Sequence, residues 1–324
     1  MRDALIRFRR CAREVCRFFL GGYARLRFER GTDFRPHVIV PISGGLGNQI
    51  WQYCIGMGAH FFSGIPVKYD LHWYEKFGLD ISGKERRDFE LLQVFPSLSL
   101  PTAGPDEAAF FKRYFSYEPY FPALFDESVY RSPRPRYIRG FCGHADYMCL
   151  LPADMWKCFR FSAEVVSGNA AAVRRIREND ASVAVHVRCG DYLGSMHEVV
   201  TPGYYRRAMD VLKRLLAPLK PCFYIFSNDM GWFRKNLADI REEMVFMDGR
   251  VERSVVDDFY LMTQCRHHVI ANSTLSWMGA WLCKNPAKRV IMPEAWFNGR
   301  APGYIRRGSE TAFRVDGWIN LAVD

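Results

Sequence analysis

Apolar runs and helical patterns alternate along this chain, most regularly after residue 160. Runs rich in β-branched and aromatic residues predict buried strands at VAVHVR, CFYIFSN, MVFMD, HHVIANS and RVIMPEAWF. Between these runs, apolar residues at helical spacing predict helices near 202–217, 230–240, 255–266 and 274–285. Strands and helices that alternate in this way predict a doubly wound parallel sheet, which binds its ligand at the carboxyl ends of the strands.

The earlier part of the chain begins in the same way and then becomes irregular. HVIVPIS predicts a strand, GGLGNQ a glycine-rich turn and IWQYCIGMGAHFF a helix, and VKYD at 67–70 predicts the next strand. Residues 75–135 are rich in aromatic residues and proline, and their pattern assigns no element. We expect most of these aromatic side chains to pack in a core, with stacking on sugar rings as the functional alternative.

Length and composition are those of a globular protein with more than one domain. The chain has 324 residues, of which 49% are hydrophobic and 25% are charged. This length favours two domains, and the composition argues against disorder as the dominant state. The patterns predict a basic segment at 1–35, an α/β domain at 36–160 and a second α/β domain at 161–324.

The net charge of +10 is concentrated at the amino-terminal end. Residues 1–35 hold ten arginines and four acidic residues, a net of +6. Apolar residues recur there at spacings of three and four, namely Leu5, Phe8, Ala12, Val15 and Phe19. This pattern predicts a basic amphipathic helix that either lies on an anionic membrane surface or packs on the body of the protein. No apolar run approaches the roughly 20 residues needed to span a bilayer, and no recognition motif favours nucleic-acid binding.

Ten cysteines are spread along the chain without a CxxC pair, so neither a zinc site nor a disulfide scaffold is predicted. Buried thiols in a reducing compartment account for them more simply. We therefore expect a cytoplasmic protein, located at the inner face of the membrane if the basic segment acts as an anchor.

The candidate chemistry lies where predicted strands end. Arg188 and Asp191 follow a buried strand, and His186 precedes them by two residues on that strand. A guanidinium is always charged and fits phosphate oxygens with paired hydrogen bonds, so Arg188 predicts an anion site. Asp191 is suited to holding that arginine or its loop.

Two turns near helix starts add to this anion site. In SGGLGNQ, Gly44, Gly45 and Gly47 allow a ligand to approach the backbone, and Asn48 opens the next helix. In ANSTLSWMGAWL, three residues are suited to capping a helix and exposing its amides: Asn272, Ser273 and Thr274. A tight turn and ordinary capping are the simpler interpretations when each motif is taken alone. A diphosphate would suit both Arg188 and a helix start that faces it.

Metal-binding motifs are missing from the sequence. No two aspartates are separated by one residue, and there is no HExxH, P-loop or GxSxG pattern. We therefore expect no metal cofactor, with protein cations and helix ends neutralising the diphosphate instead.

Several blocks, in this order and spacing, resemble the α-1,2-fucosyltransferases of glycosyltransferase family 11. These blocks are GGLGNQIWQY, HVRCGDY, FSNDMGWFRKNL and DFYLMTQCRHHVIANSTLSWMGAWL, with shorter echoes in RGFCGHADY and RVIMPEAWF. The resemblance runs from about residue 40 to about residue 300. It implies a GT-B fold, with two Rossmann-like domains facing across a cleft, and a GDP-fucose-binding domain at 161–324.

The same resemblance implies inverting, metal-independent transfer of L-fucose from GDP-β-L-fucose to O2 of a terminal β-galactoside on a surface glycan. It assigns Arg188 to the diphosphate, with His186 preceding it, and Asn48 to the reactive end of the donor. The remaining matches are Asn228 and Asp229 near guanine, and Ser273, Thr274 and Ser276 at the helix start that binds phosphates.

The chain departs from the family pattern at three positions. The second arginine of the usual HxRR block is Cys189, so its contribution is absent or comes from another cation. Gly143 replaces a glutamine and Met278 replaces a tryptophan, which puts the acceptor in question.

The general base and the reaction itself leave alternatives open. Asp70, His197 and Glu198 are candidates for the base, and a surface-loop role is the alternative for each. A transferase that uses another nucleotide sugar would share the anion site. A noncatalytic nucleotide- or glycan-binding module would also retain this fold.

Overall fold

The computed structural model describes residues 36–79, 83, 86–119, 123–247 and 254–323, which form two α/β units. The basic segment predicted at 1–35 lies outside these residues. Every strand pair in both sheets is parallel, so the predicted fold class is confirmed. None of the helices in the described ranges is both long and apolar enough to cross a membrane.

The first sheet has the strand order β2-β1-β4-β3 and the second β10-β9-β8-β5-β6-β7. The strands are β1 Val38–Pro41, β2 Val67–Asp70, β3 Ser116–Tyr117, β4 Arg136–Ile138, β5 Ser182–Val187, β6 Cys222–Ser227, β7 Met244–Phe246, β8 His267–Val269, β9 Val290–Pro293 and β10 Ile319–Leu321. In each sheet the order reverses beside the first strand, between β1 and β4 and between β5 and β8. Ligands of open parallel sheets bind at such reversals, outside the carboxyl ends of the strands.

The helices that flank these sheets include those expected from periodicity after residue 36. They are α1 Leu46–Ser63, α2 His72–Lys76, α3 Leu91–Val94, α4 Pro105–Tyr114, α5 Ser128–Arg131, α6 Asp146–Cys149, α7 Ala163–Gly168, α8 Ala170–Arg177, α9 Pro202–Leu216, α10 Met230–Asn236, α11 Val255–Gln264, α12 Thr274–Leu282, α13 Gly303–Arg306 and α14 Ser309–Ala312. Two 3₁₀ turns lie at Ala153–Cys158 and Gly190–Tyr192.

A shared core joins the two units. Trp51 of α1 and Trp277 of α12 are fully buried, with ring centroids 5.0 Å apart in an edge-to-face arrangement. Their indole N–H groups donate to the carbonyls of Cys142 and Phe313, at 3.1 Å and 2.9 Å. Buried aromatic pairs of this kind contribute both apolar burial and fixed geometry, so the starts of α1 and α12 are held in register across the two units.

Core packing is confirmed for many aromatic side chains of the unassigned stretch. Phe95, Phe111, Tyr117 and Tyr130 are all buried in the first unit. Among the described aromatic residues of this stretch, Phe77 is exposed, with 68% of its surface accessible. The RGFCGHADY block lies after β4, in a loop and the first two residues of α6, rather than in a strand.

Candidate active site

The carboxyl end of β5 carries the arginine predicted from the sequence. The Arg188 side chain is 16% exposed, and its Nη2 donates to Asp191 Oδ2 at 2.6 Å. Its guanidinium carbon lies 5.1 Å from the ring centre of Tyr192, a cation–π arrangement. Its Nε is buried and has no hydrogen-bond partner among the described residues. The guanidinium is therefore fixed while retaining donor capacity for a ligand.

The carboxyl end of β8 leads into α12. Ser273 occupies the N-cap position, but its side chain makes no capping bond, contrary to the expected capping. Instead Ser276 Oγ donates to the Ser273 carbonyl at 3.2 Å. Asn272 Nδ2 donates to two backbone carbonyls, at 3.0 Å each, and these bonds fix the turn between β8 and α12. Because no side chain caps its start, the positive end of α12 is available to an anion.

The carboxyl end of β1 leads in the same way into α1. Gly45 is the N-cap and, like Ser273, makes no side-chain capping bond. A methyl group at Gly47 would lie only 2.3 Å from the backbone nitrogen of Leu275, so the two helix starts are in backbone contact. Thr274 Oγ1 donates to Asn48 Oδ1 at 2.6 Å and links the same two starts. The absence of a side chain at 47 is therefore a packing requirement.

A cavity of about 310 Å³ lies where these three strand ends meet. Its lining includes Gly45, Gly47, Asn48, Ser273, Thr274, Arg188 and Asp191. A second cavity, of about 630 Å³, adjoins it at Arg188 and Tyr192 and is also lined by Trp232 and Asn236. The anion site predicted at Arg188 thus opens on both sides into space suited to a ligand with several parts.

An arginine that sequence reasoning missed also lines the first cavity. Arg87 belongs to the first unit, and its Nη2 lies 3.6 Å from Asp191 Oδ2, the oxygen that accepts from Arg188. Asp191 is only 7% exposed at its side chain, and it also accepts from Asn228 Nδ2 at 3.4 Å. A single carboxylate therefore faces two guanidiniums, one from each unit.

His186 lies within β5 and is buried. Burial, followed by the nearby charge of Arg188, lowers the pKa of His186 to about 3. Its Nδ1 has no hydrogen-bond partner in the described part of the chain. The ring is therefore neutral at physiological pH, and adds no charge to the anion site.

The two residues predicted near guanine lie at the end of β6. Asn228 Oδ1 accepts from the Cys189 backbone nitrogen at 3.2 Å and so ties the β5 and β6 ends together. Asp229 Oδ1 accepts from Trp232 N at 2.9 Å and caps α10. The cap explains the local fold, and the role of the carboxylate toward a base stays a prediction.

The three candidates for a base occupy different surroundings. Asp70 Oδ2 accepts from Tyr137 at 2.6 Å, and its Oδ1 contacts His72 Nδ1 at 2.5 Å. Asp70 is not among the residues that line the first cavity. Burial opposes ionisation of Asp70, but these hydrogen bonds outweigh it and lower its pKa.

The other two candidates follow Tyr192 in the chain. The His197 ring lies 5.0 Å from the ring of Tyr192, its Nδ1 is buried without a partner among the described residues, and burial lowers its pKa. Glu198 pairs with Arg300 at 3.0 Å in the second cavity.

A half-buried carboxyl also escaped prediction. Burial raises the pKa of Glu90 to about 7, although the charge of Arg87 opposes the rise. Its backbone nitrogen donates to Gln49 Oε1 at 2.9 Å, close to the start of α1.

Within the described ranges, no group of three or more His, Cys, Asp or Glu side chains is arranged to hold a metal ion.

Curated relatives include both bacterial and mammalian enzymes. An alpha-1,2-colitosyltransferase of Escherichia coli is 27% identical over 80% of this chain and 92% of its own length. The O-antigen biosynthesis glycosyltransferase WbnK of Escherichia coli is 32% identical over 45% of this chain, and galactoside alpha-(1,2)-fucosyltransferase 2 of Oryctolagus cuniculus is 36% identical over 39%. The chain spans about half the length of these last two relatives, 46% and 42%.

Two fucosyltransferases are among the similar solved structures. Fucosyltransferase NodZ from Bradyrhizobium is 13% identical with a TM-score of 0.44, over 77% of this chain and 94% of that chain. A mutant of Arabidopsis thaliana FUT1 in complex with GDP is 12% identical with a TM-score of 0.47, over 85% and 73%. A family model described as glycosyl transferase family 11 matches residues 141–321, more than half of the sequence. The chain therefore belongs to glycosyl transferase family 11.

Proposed function

We propose that this glycosyltransferase transfers L-fucose from GDP-β-L-fucose to O2 of a terminal β-galactoside, with inversion and without a metal ion, in the synthesis of a surface glycan. The observation that carries the proposal is the position of Arg188, in a cavity between two helix starts that no side chain caps. Membership of family 11 supports sugar transfer, and relatives named as alpha-(1,2)-fucosyltransferases support this donor and linkage.

The charge pattern of the cavity suits a diphosphate. Each helix start carries the equivalent of about half a positive charge, and Arg188 adds a full charge with paired donors. The adjoining cavity, with Trp232 and Asn236 in its lining, has room for the nucleoside, and it lies beside the capped start of α10. The sugar would then occupy the cavity between the units, beside Asn48, which is part of its lining.

In the proposed reaction, an acceptor hydroxyl attacks the anomeric carbon of fucose from the face opposite GDP. The bond between that carbon and the diphosphate oxygen breaks, and negative charge grows on the departing phosphate. Arg188 and the two helix starts stabilise this charge more in the transition state than in the ground state, which accelerates the reaction. No metal ion is required for this neutralisation.

The acceptor proton requires a base, and Asp70, His197 and Glu198 are the candidates. His197 is the first to test, because its lowered pKa leaves the ring neutral and its Nδ1 has no partner among the described residues. It also stacks on Tyr192, which lines both cavities. Asp70 and Glu198 would first have to exchange existing partners.

A second donor is favoured by one specific observation. One relative, 92% of whose length this chain covers, is named as an alpha-1,2-colitosyltransferase. A colitose donor would use the same diphosphate site, so the two donors differ only in the sugar pocket. Parallel assays with both donors, and with a UDP-sugar as a third, separate these possibilities.

The test combines donor turnover with a matched pair of variants. Arg188→Ala should reduce transfer about 10²- to 10⁴-fold, since it removes a charge that acts on the leaving group. Arg266→Ala is the control. Arg266 pairs with Asp180 just before the start of β8, so it lies at the amino end of the strands, opposite the end that carries Arg188. Product formation from GDP-fucose and a β-galactoside is followed by chromatography, and the fold is checked by circular dichroism.

Normal turnover in folded Arg188→Ala would remove the proposed anion site from the mechanism. GDP binding without product from any donor and acceptor pair would instead support a noncatalytic module.

A further inference from the structure

The loop that carries Arg87 is fixed to the donor site by one buried glutamine. Gln49 lies in the first turns of α1 and is fully buried. Its Nε2 donates to the Asp88 carbonyl at 2.8 Å, and its Oε1 accepts from the backbone nitrogens of Glu90 and Leu91 at 2.9 Å and 3.0 Å. These three bonds tie the loop to the helix that starts at the cavity.

A second contact holds the same loop on its other side. The backbone nitrogen of Arg87 donates to the carbonyl of Gly78 at 2.6 Å. Gly78 has φ of +52°, a left-handed conformation that suits glycine. The backbone at 87 is therefore fixed both toward α1 and toward the segment after α2. The Arg87 side chain lines the cavity from this fixed position.

The residue that follows Arg188 in the chain carries no charge. Cys189 is 3% exposed and packs in the apolar core of the second sheet. Burial raises the pKa of its thiol to about 12, so the group is neutral at physiological pH. Residue 189 therefore contributes no cation to the anion site.

We propose that Arg87 is the second diphosphate-binding cation of this enzyme, supplied by the first unit where the second unit has Cys189. Asp191 acts as a positioning residue, since its Oδ2 faces Arg87 at 3.6 Å and Arg188 at 2.6 Å. Both guanidiniums line the cavity that the proposed function assigns to the donor, one from each unit.

This inference rests on the proposed function and adds a consequence to it. A diphosphate held by Arg87 and Arg188 makes contact with both units at once. Donor binding should then stabilise the contact between the units. A diphosphate offers one phosphate to each arginine, so it should gain more from Arg87 than a monophosphate does.

The experiment compares neighbouring arginines in the intact chain. Arg87→Ala should weaken GDP binding about 10- to 100-fold, the range for loss of a charge-assisted hydrogen bond at a partly buried site. GMP, which lacks the second phosphate, should lose less. Arg86→Ala is the control, since Arg86 is 75% exposed at its side chain and lies 3.9 Å from an equally exposed Asp88. Arg87→Lys should recover part of the GDP affinity because it retains the charge.

Calorimetric titration with GDP and with GMP distinguishes the outcomes. Equal losses for both nucleotides in Arg87→Ala would show a structural role and overturn the inference, as would equal GDP affinities in Arg87→Ala and Arg86→Ala. If Arg87→Ala fails to fold, the ratio of GDP affinity to GMP affinity is measured in Arg87→Lys instead. A ratio equal to that of the unmodified chain overturns the inference. Failure of the unmodified chain to bind GDP would instead refute the proposed function.

Discussion

The two α/β units contribute to the same cavity in different ways. The second unit supplies fixed side-chain charge at the end of β5, where Arg188 is held by Asp191. The first unit supplies backbone at the end of β1, where Gly47 touches Leu275. Each unit also supplies one helix start without a side-chain cap. The first unit also contributes a charge, from Arg87 in a loop away from this strand end, and neither unit forms the site alone.

The two units also differ in the groups they bury. The second sheet contains three buried histidines with lowered pKa values, His186, His267 and His268. The first unit contains Glu90, a carboxyl with a raised pKa. Protonation of the histidines and ionisation of the carboxyl both oppose folding. These histidines and this carboxyl should therefore make stability depend on pH in opposite directions.

The largest expected effect tests the shape contributed by the first unit. Gly47→Ala would place a methyl group 2.3 Å from the backbone of Leu275, a contact that no side-chain rotation relieves. We expect a loss of about 3 kcal/mol or more in the free energy of unfolding, at the upper end for overpacking. Gly45→Ala is the matched control, because no atom lies within 4 Å of the added methyl group and φ there is −77°. Urea unfolding measures both, and equal midpoints would contradict the contact between the helix starts.

Much of the second unit could be predicted because its strands are buried on both faces and appear in the sequence as continuous apolar runs. The predicted run VAVHVR contains most of β5, and CFYIFSN contains β6. In the first unit β3 has two residues, too few for a pattern, and both β3 and α4 lie in the stretch left unassigned. Short strands depend on their neighbours more than on their own sequence.

The candidate site divides in the same way. Arg188, Asn48 and Thr274 could be predicted because each follows a recognisable strand end, and all three line one cavity. Arg87 could not be predicted, because it lies in the charged run KERRD, which suggests a solvated loop. Gln49 brings it to the site by hydrogen bonds to residues 39 to 42 positions away. Tertiary contacts of this kind leave no local signal.

The next effect tests the buried histidines of the second unit. His268 is fully buried, and burial, followed by the charges of Lys288 and His267, lowers its pKa well below 6.5. A base with a lowered pKa in the folded state contributes stability that is complete above the unfolded pKa and is lost as pH falls below it. We expect a loss of about 1 kcal/mol per pH unit for each such histidine below about pH 6. His268→Leu should flatten this slope in urea titrations between pH 7 and 5, and an unchanged slope would refute the assignment.

Glu90 should produce the opposite dependence in the first unit. Its pKa is raised to about 7 in the folded protein, so ionisation is disfavoured there and stability falls as pH rises from about 4.5 to 7. Glu90→Gln removes the ionisation and should gain about 2 kcal/mol relative to the unmodified chain between pH 5 and pH 8. Thermal unfolding at the two pH values measures this. If the stability difference between Glu90→Gln and the unmodified chain is the same at pH 5 and at pH 8, the Glu90 carboxyl titrates normally.

The smallest effect separates a structural role from a binding role at Asp229. Its carboxylate caps α10 through Trp232 N at 2.9 Å, and the family resemblance places the same group near guanine. Asp229→Ala should lower stability by about 1 kcal/mol through loss of the cap, whereas Asp229→Asn keeps a capping oxygen and should be nearly neutral. If the carboxylate also accepts from the base edge, Asp229→Asn should weaken GDP binding about 10-fold at unchanged stability. Unchanged GDP affinity in Asp229→Asn would leave Asp229 as a helix cap alone, and the base would then be held by other residues of the cavity that Trp232 and Asn236 line.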